Sequence, residues 1–249
     1  MSSSLAWRAR AVLGAAGRRR VRRVVDPLLR PVGSVGSVLT SAAAVVLTFD
    51  DGPDPRWTPP LLDLLDEAGA TATFFVLTER ARRHRGIVQR IAAAGHEVAL
   101  HGEDHTRLTT LPLRAAQRSI VTSHDELEQL VGLSVRWFRP PYGAQSLATY
   151  AAARADGLQV VVWGPAARDW EEGTPDEVAA RAMVGLRPGS VVLLHDGLWL
   201  PPGQAPPTFD RTESIRVLLA SMGDAGLAGS SLGRLLASGR PRPTAWFRP

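Results

Sequence analysis

From residue 43 onward the chain alternates short β-branched or apolar runs with longer stretches in which Ala and Leu recur at helical spacing. The apolar runs predict strands over AVVLTF (44–49), ATATFFVL (70–77), HEVALH (96–101), SVRWF (134–138), LQVVVW (158–163) and SVVLLH (190–195). Helices are predicted at about 59–68, 85–94, 111–131, 146–156, 174–186 and 212–225. Gly69, Gly95, Gly132 and Gly157 sit just past four of the helical patterns. TPDE at 174–177 has the form of a capping box with proline at the first helical position. Strands apolar throughout, such as VVLTF and SVVLLH, imply burial on both faces, hence a parallel sheet covered by helices. The class is α/β, and on pattern alone six strands in series fit a barrel and a doubly wound sheet equally well.

Composition narrows the chemistry. The 249 residues contain no cysteine, so a disulfide framework, a thiolate metal site and a cysteine nucleophile are all excluded, and any metal must sit on His, Asp or Glu. The formal charge of +5 is concentrated at the start: residues 1–40 hold eight arginines against the single acid Asp26. In the remainder acidic residues slightly outnumber basic ones. Residues 1–40 therefore read as a basic N-terminal extension and 41–249 as one catalytic-sized domain.

No apolar run approaches the roughly 20 residues of a membrane span. The short apolar piece AVLGAAG precedes RRRVRR, the reverse of the order in a secretory signal, so no signal peptide is expected. Within VRRVVDPLL apolar residues keep helical spacing opposite arginines. Peripheral contact with an anionic membrane face is one reading; a solvated tail or a short helix docked on the body is the simpler one. A cytoplasmic location, or one at the cytoplasmic membrane face, follows as the expectation, and nothing suggests nucleic-acid binding.

The reactive residue types stand at strand ends. Asp50 and Asp51 follow AVVLTF, His101 follows EVAL, Arg139 follows VRWF, Asp169 and Trp170 follow VVVW after a short loop, and His195 and Asp196 follow VVLL. Parallel strands bring all these ends to one rim, where barrels and open α/β sheets build their sites. In HGEDH (101–105) two histidines at i and i+4 can grip one cation, and a catalytic zinc commonly takes two histidines and a carboxylate. Gly102 after the first histidine excludes the H-E-x-x-H protease pattern. RPPYG (139–143) has a backbone nearly fixed by its prolines, suited to aiming an arginine and an N–H. His84, His96 and His124 read as surface or structural. The loop GLWLPPGQAPPTFD, with Trp199, reads equally as a substrate lid and as a surface loop.

Taken together, TFDDGP (48–53), HGEDH (101–105), RPPYG (139–143), RDW (168–170) and LLHD (193–196) resemble the five ordered motifs of the polysaccharide deacetylases, the nodulation-protein-B-like carbohydrate esterase family 4, over about residues 43–235. The resemblance implies a distorted (β/α) barrel with about seven parallel strands. It implies a metal-dependent hydrolase that removes N-acetyl or O-acetyl groups from an acetylated saccharide. Carried over by position, Asp51, His101 and His105 would be ligands of a divalent metal, most often Zn2+, Asp50 the general base and His195 the general acid. Arg139 would orient Asp50 and Asp169 would orient His195. The Tyr142 N–H would hold the oxyanion, while Trp170 and Leu193 would line the acetyl pocket. Two positions depart from the pattern: Gly102 lacks the hydroxyl usual after the first motif-two histidine, and Ala166 stands where an acid is frequent. A related amidohydrolase acting on a non-sugar C–N bond and an inactive carbohydrate-binding homologue are the rival readings.

Overall fold

The computed structural model describes residues 33–200 and 203–248. The arginine-rich stretch of the extension, with the helix read over VRRVVDPLL and the membrane contact it suggested, lies outside the described residues. Among the described residues no helix is long and apolar enough to cross a membrane.

The chain begins with β1 (Ser34–Leu39) and then enters the barrel at β2 (Ala44–Asp50). There follow α1 (Thr58–Glu67), β3 (Thr73–Val76), α2 (Thr78–Arg83), α3 (Arg85–Ala93), β4 (Glu97–Leu100), α4 (Leu113–Val131), β5 (Trp137–Phe138) and α5 (Leu147–Ala155). The second half carries β6 (Gln159–Val160), α6 (Pro175–Met183), β7 (Val191–His195), α7 (Arg211–Asp224), β8 (Ala228–Ser230), α8 (Leu232–Leu236) and β9 (Arg240–Thr244). The main sheet runs β6-β5-β4-β3-β2-β7 with every pair parallel, and β8 pairs with the start of β2, at Ala44–Val46. These seven strands and their covering helices make the expected distorted (β/α) barrel. The capping box at Thr174 and Glu177 forms as the sequence predicts.

Strand alternation sorts side chains into two cores. Val45, Leu47, Phe49, Phe74, Val76, Val98, Leu100, Phe138, Val192 and Leu194 pack outward against the helices. Val46, Phe75, Ala99, Trp137 and Val191 point inward and pack with Val35, Val38 and Leu235. Continuing each inward register by two residues places Asp50 beyond Val46 and Thr48, His101 beyond Ala99, Arg139 beyond Trp137, and Leu193 and His195 beyond Val191. The period of two that built the core thus aims the strand-end chemistry into the barrel.

The folded body starts earlier than the boundary placed at residue 40. β1 pairs antiparallel with β9 and reaches both open edges of the main sheet, through the Val35–Val161 and Ser37–Ser190 bridges. Val162 N–H donates to Val35 O at 2.9 Å and Val38 N–H to Gly189 O at 2.8 Å. The segment SVGSVL falls within the stretch read as the basic extension, and its glycine and serines give a weak strand signal; its strand character comes from the unpaired edges of β6 and β7. The short strands β8 and β9 and the helix α2 were likewise not predicted, and α6 ends at Met183 rather than at 186.

Candidate active site

β2 stops at Asp50, and Asp51 turns away with φ 70°. The two adjacent carboxylates therefore share one cavity with separate partners. Arg139 Nη1 donates to Asp50 Oδ1 at 2.6 Å and to Thr48 Oγ1 at 2.9 Å. Arg139 is fully buried, its guanidinium 4.1 Å from the Phe75 ring centroid and 5.6 Å from that of Trp163. Burial pulls its pKa down while Asp50 opposes the shift.

Asp51 faces the two histidines of HGEDH. Its Oδ1 lies 3.3 Å from His101 Nε2 and 3.2 Å from His105 Nε2, and its Oδ2 accepts from the Trp199 N–H at 3.0 Å. Burial would raise the Asp51 carboxyl, but His101, His105 and His195 around it hold it well below the usual carboxylate range. Burial pushes His105 down to about 4 against the pull of Asp51, so its ring is neutral at pH 7. The turn between the histidines is held through its backbone: Thr78 and Glu79, at the start of α2, donate their N–H groups to Gly102 O and Glu103 O at 2.9 and 3.1 Å. These bonds anchor the turn without a hydroxyl at position 102.

The donor set fits a divalent cation. His101 Nδ1 lies 2.7 Å from Arg139 O, which places a proton on Nδ1, so that in the neutral ring Nε2 carries the lone pair. That lone pair points at Asp51 Oδ1, a buried oxygen with no hydrogen-bond partner. One potential ligand atom from each of Asp51, His101 and His105 lies within 4.8 Å of the others. Mutually facing lone pairs are repulsive, and a shared cation removes the conflict.

Opposite them, the His195 N–H donates to Asp169 Oδ2 at 2.9 Å and His195 Nδ1 lies 2.7 Å from Asp169 Oδ1. Burial disfavours the charged imidazole, but Asp169, helped by Asp51 and Asp50, overrides it and pushes His195 up to about 9. Asp169 itself would be raised by burial and is instead lowered by His195 and Arg211. The next residue, Asp196, is buried and accepts from Thr58 Oγ1 at 2.6 Å; burial pushes its carboxyl up to about 7. It packs so closely on the turn after Asp51 that a Cβ at Gly52 would lie 2.0 Å from its Oδ2.

Asp50, Asp51, His101, His105, Tyr142, Trp170, Leu193 and His195 line one cavity of about 400 Å³, with Trp163 and Trp199 among its walls. Arg139 and Asp169 stand behind it. Trp170 meets His195 edge-on with ring centroids 5.4 Å apart, and Trp199 stacks on His105 at 5.2 Å. Asp51, His105 and Tyr142 all have positive φ, a conformation that costs an L-residue about 1–2 kcal/mol and whose clustering marks a built site. Of the other histidines, His96 accepts from the Ala72 N–H and His124 joins Asp156 and Val135 O, so both are structural as read.

Sequence reasoning missed Arg211. At the start of α7, it donates to Asp169 Oδ2 at 2.7 Å and Asp169 O at 2.9 Å, with its guanidinium 4.7 Å from the Trp57 ring centroid. Nothing in TFDRTES distinguishes it from a solvated arginine opening a helix. Ala166 pairs with Leu193 along β7, so that departure falls on a backbone bridge beside the pocket wall.

A polysaccharide deacetylase family model matches residues 38–161. A chitooligosaccharide deacetylase of Sinorhizobium fredii is 38% identical over 159 residues, covering 64% of this chain and 74% of the relative. A peptidoglycan-N-acetylglucosamine deacetylase of Bacillus cereus is 33% identical over 172 residues, covering 68% and 80%. A peptidoglycan N-acetylglucosamine deacetylase solved in complex with 4-naphthalen-1-yl-N-oxidanyl-benzamide superposes with TM-score 0.75 at 26% identity, over 87% of this chain and 98% of that one. With the shared barrel and the identity to relatives covered over most of their length, the chain belongs to the polysaccharide deacetylase family.

Proposed function

We propose that the protein hydrolyses the N-acetyl group of an N-acetylglucosamine-containing saccharide, of the chitooligosaccharide or peptidoglycan type, to give acetate and a free amino sugar. The observation that carries this reading is the separation of two adjacent buried carboxylates, Asp51 between two histidines and Asp50 on Arg139, across from His195 held on Asp169.

Asp51, His101 and His105 would hold a divalent cation, with Zn2+ the first choice for this donor set. When bound, the cation polarises the amide carbonyl and lowers the pKa of water. Asp50, steadied by Arg139, accepts the proton of the attacking water. The prolines of RPPYG carry no N–H, and the N–H groups of Arg139 and Gly143 are spent on Leu100 O and Pro140 O. Tyr142 is therefore the residue of the run whose N–H can meet the developing oxyanion. His195 carries its proton on the ring nitrogen not engaged by Asp169 and delivers it to the departing amine. Trp170 and Leu193 offer the apolar wall that receives the acetyl methyl.

The test is metal content measured together with acetate release from chitooligosaccharides, peptidoglycan fragments and non-sugar acetamides. Metal bound near one equivalent, loss of that metal in His101→Ala, and acetate released from the saccharides alone are the expected results. Release from the non-sugar amides only, or from none despite bound metal, would overturn the assignment.

The same reading gives Arg211 a role, because it holds the carboxylate that holds His195. Arg211→Met should lower kcat roughly 10- to 100-fold while KM changes little. It should also move the alkaline limb of the rate profile upward, because the charge of Asp169 then acts on His195 alone. Arg211→Lys should restore part of the loss. An unchanged limb together with a lowered melting temperature would reduce Arg211 to a packing residue.

A further inference from the structure

Past β9 the chain crosses back to the cavity and closes on the loop that carries Tyr142. The Trp246 indole N–H donates to Gly143 O at 2.9 Å, and the ring, 6% exposed, packs on Trp163 with centroids 5.0 Å apart. Next to it Gln145 and Arg248 exchange both backbone hydrogen bonds, at 2.6 and 2.9 Å. The Gln145 side chain donates to Trp246 O at 2.6 Å and to Ser34 Oγ at 3.1 Å. The Arg248 guanidinium lies over the indole, 3.7 Å from its ring centroid.

The loop held in this way is under backbone strain. Tyr142 and Gly143 both have φ of 60°, so two consecutive peptides sit in the left-handed region and only one of them is glycine. A Cβ at Gly143 would lie 2.6 Å from Trp163 and 3.3 Å from the Trp246 indole nitrogen, so the aromatic pair also fixes how close that peptide comes to the pocket wall. A buried indole N–H needs an acceptor, and here the acceptor is the carbonyl one residue past Tyr142.

We infer that Trp246 is a positioning residue for the reaction: its indole N–H latches the Gly143 peptide and so sets where the Tyr142 N–H points. This rests on the proposed deacetylase reading, in which that N–H meets the oxyanion. The latch acts on the transition state rather than on substrate binding, because Trp246 does not line the cavity and the carbonyl of a bound acetamide carries little charge until water attacks.

The decisive variant is Trp246→Phe, which removes the donor and keeps most of the ring. Metal content, melting temperature, kcat and KM on an N-acetylated chitooligosaccharide are measured beside the wild type, with the inhibition constants of acetate and of a methylphosphonamidate analogue of the tetrahedral intermediate. Removing an oxyanion donor outright costs on the order of 100-fold, so a loosened one should cost roughly tenfold in kcat. KM and bound metal should stay within about twofold, while the phosphonamidate should weaken in step with kcat and acetate, itself an anion, by less. Gln145→Met, which leaves the Trp246 N–H in place but loosens the strap, should move kcat the same way by less, and it carries the test if Trp246→Phe is poorly folded. A kcat within twofold of wild type in both variants, or a loss shared equally by kcat and bound metal, would overturn the latch. An inactive wild type would instead overturn the deacetylase reading beneath it.

Discussion

Asp50→Asn is expected to leave the metal bound and to abolish turnover, with kcat lowered by about 10³-fold or more. The metal should remain because Asp51, His101 and His105 supply the donors, and Asp50 Oδ2 stands off at 3.9 Å from His101 Nε2. Turnover should fail because the amide cannot accept a proton from water. General-base catalysis alone contributes about 10²–10⁴-fold. Asn is nearly the same shape and can still accept from Arg139, so the fold should tolerate it better than Ala. Its loss of charge does leave the buried Arg139 guanidinium without a counter-ion, a defect worth on the order of 3–5 kcal/mol in a buried pair. Melting temperature must therefore be recorded beside acetate release. A folded, metal-loaded Asp50→Asn protein with wild-type turnover would assign the base elsewhere.

His195→Gln should lower kcat on an amide by about 10²–10⁴-fold and spare an aryl acetate far more. An amine cannot leave without a proton; a phenolate can. The contrast between the two substrates in the same variant isolates proton donation from any general loss of structure. In the wild type the acid form of His195 persists through neutrality, because its pKa is raised from 6.5 to about 9. Activity that depends on that proton is therefore lost as pH rises through about 9, not through 6.5. Among the acids that raise it, Asp169 contributes most, ahead of Asp51 and Asp50, and burial opposes all three. The same shift bears on stability: the imidazolium–Asp169 pair contributes fully below pH 6.5 and the contribution is lost as pH rises through about 9. An alkaline limb near 6.5, or equal losses on both substrates, would remove His195 from the acid role.

Much of the site could be read before folding because the chemistry sits where strand periodicity leads. Asp50, His101, Arg139 and His195 each continue an inward register, and the residues two before them are Thr48, Ala99, Trp137 and Leu193, all buried. A strand that packs those residues toward the barrel axis has no freedom to send the next inward position elsewhere. Asp51 is different. On a continuing strand it would face the helices, and only the turn at φ 70° brings it beside Asp50. The glycine and proline after it in DDGP signal that turn, but the partners that separate the two charges, His101 and Arg139, arrive from β4 and β5.

Arg211, Trp246 and β1 were not legible. Arg211 lies 42 positions from Asp169, and Trp246 lies 103 positions from Gly143. Each is tied to the site by polar contacts across the fold, with no local spacing to announce it. β1 is a strand because two sheet edges stand open where it passes, a condition set by the closure of the barrel.

The sequence by itself determined the order of strands and helices, the burial of the sheet on both faces, and the strand-end residues that enter the site, since local periodicity and turn chemistry act over a few residues. Only the tertiary structure decided how the barrel closes through β1, which cation steadies Asp169, and how the C-terminal segment grips the loop carrying Tyr142. These depend on distances between chain segments far apart in sequence, which exist only once the core has packed.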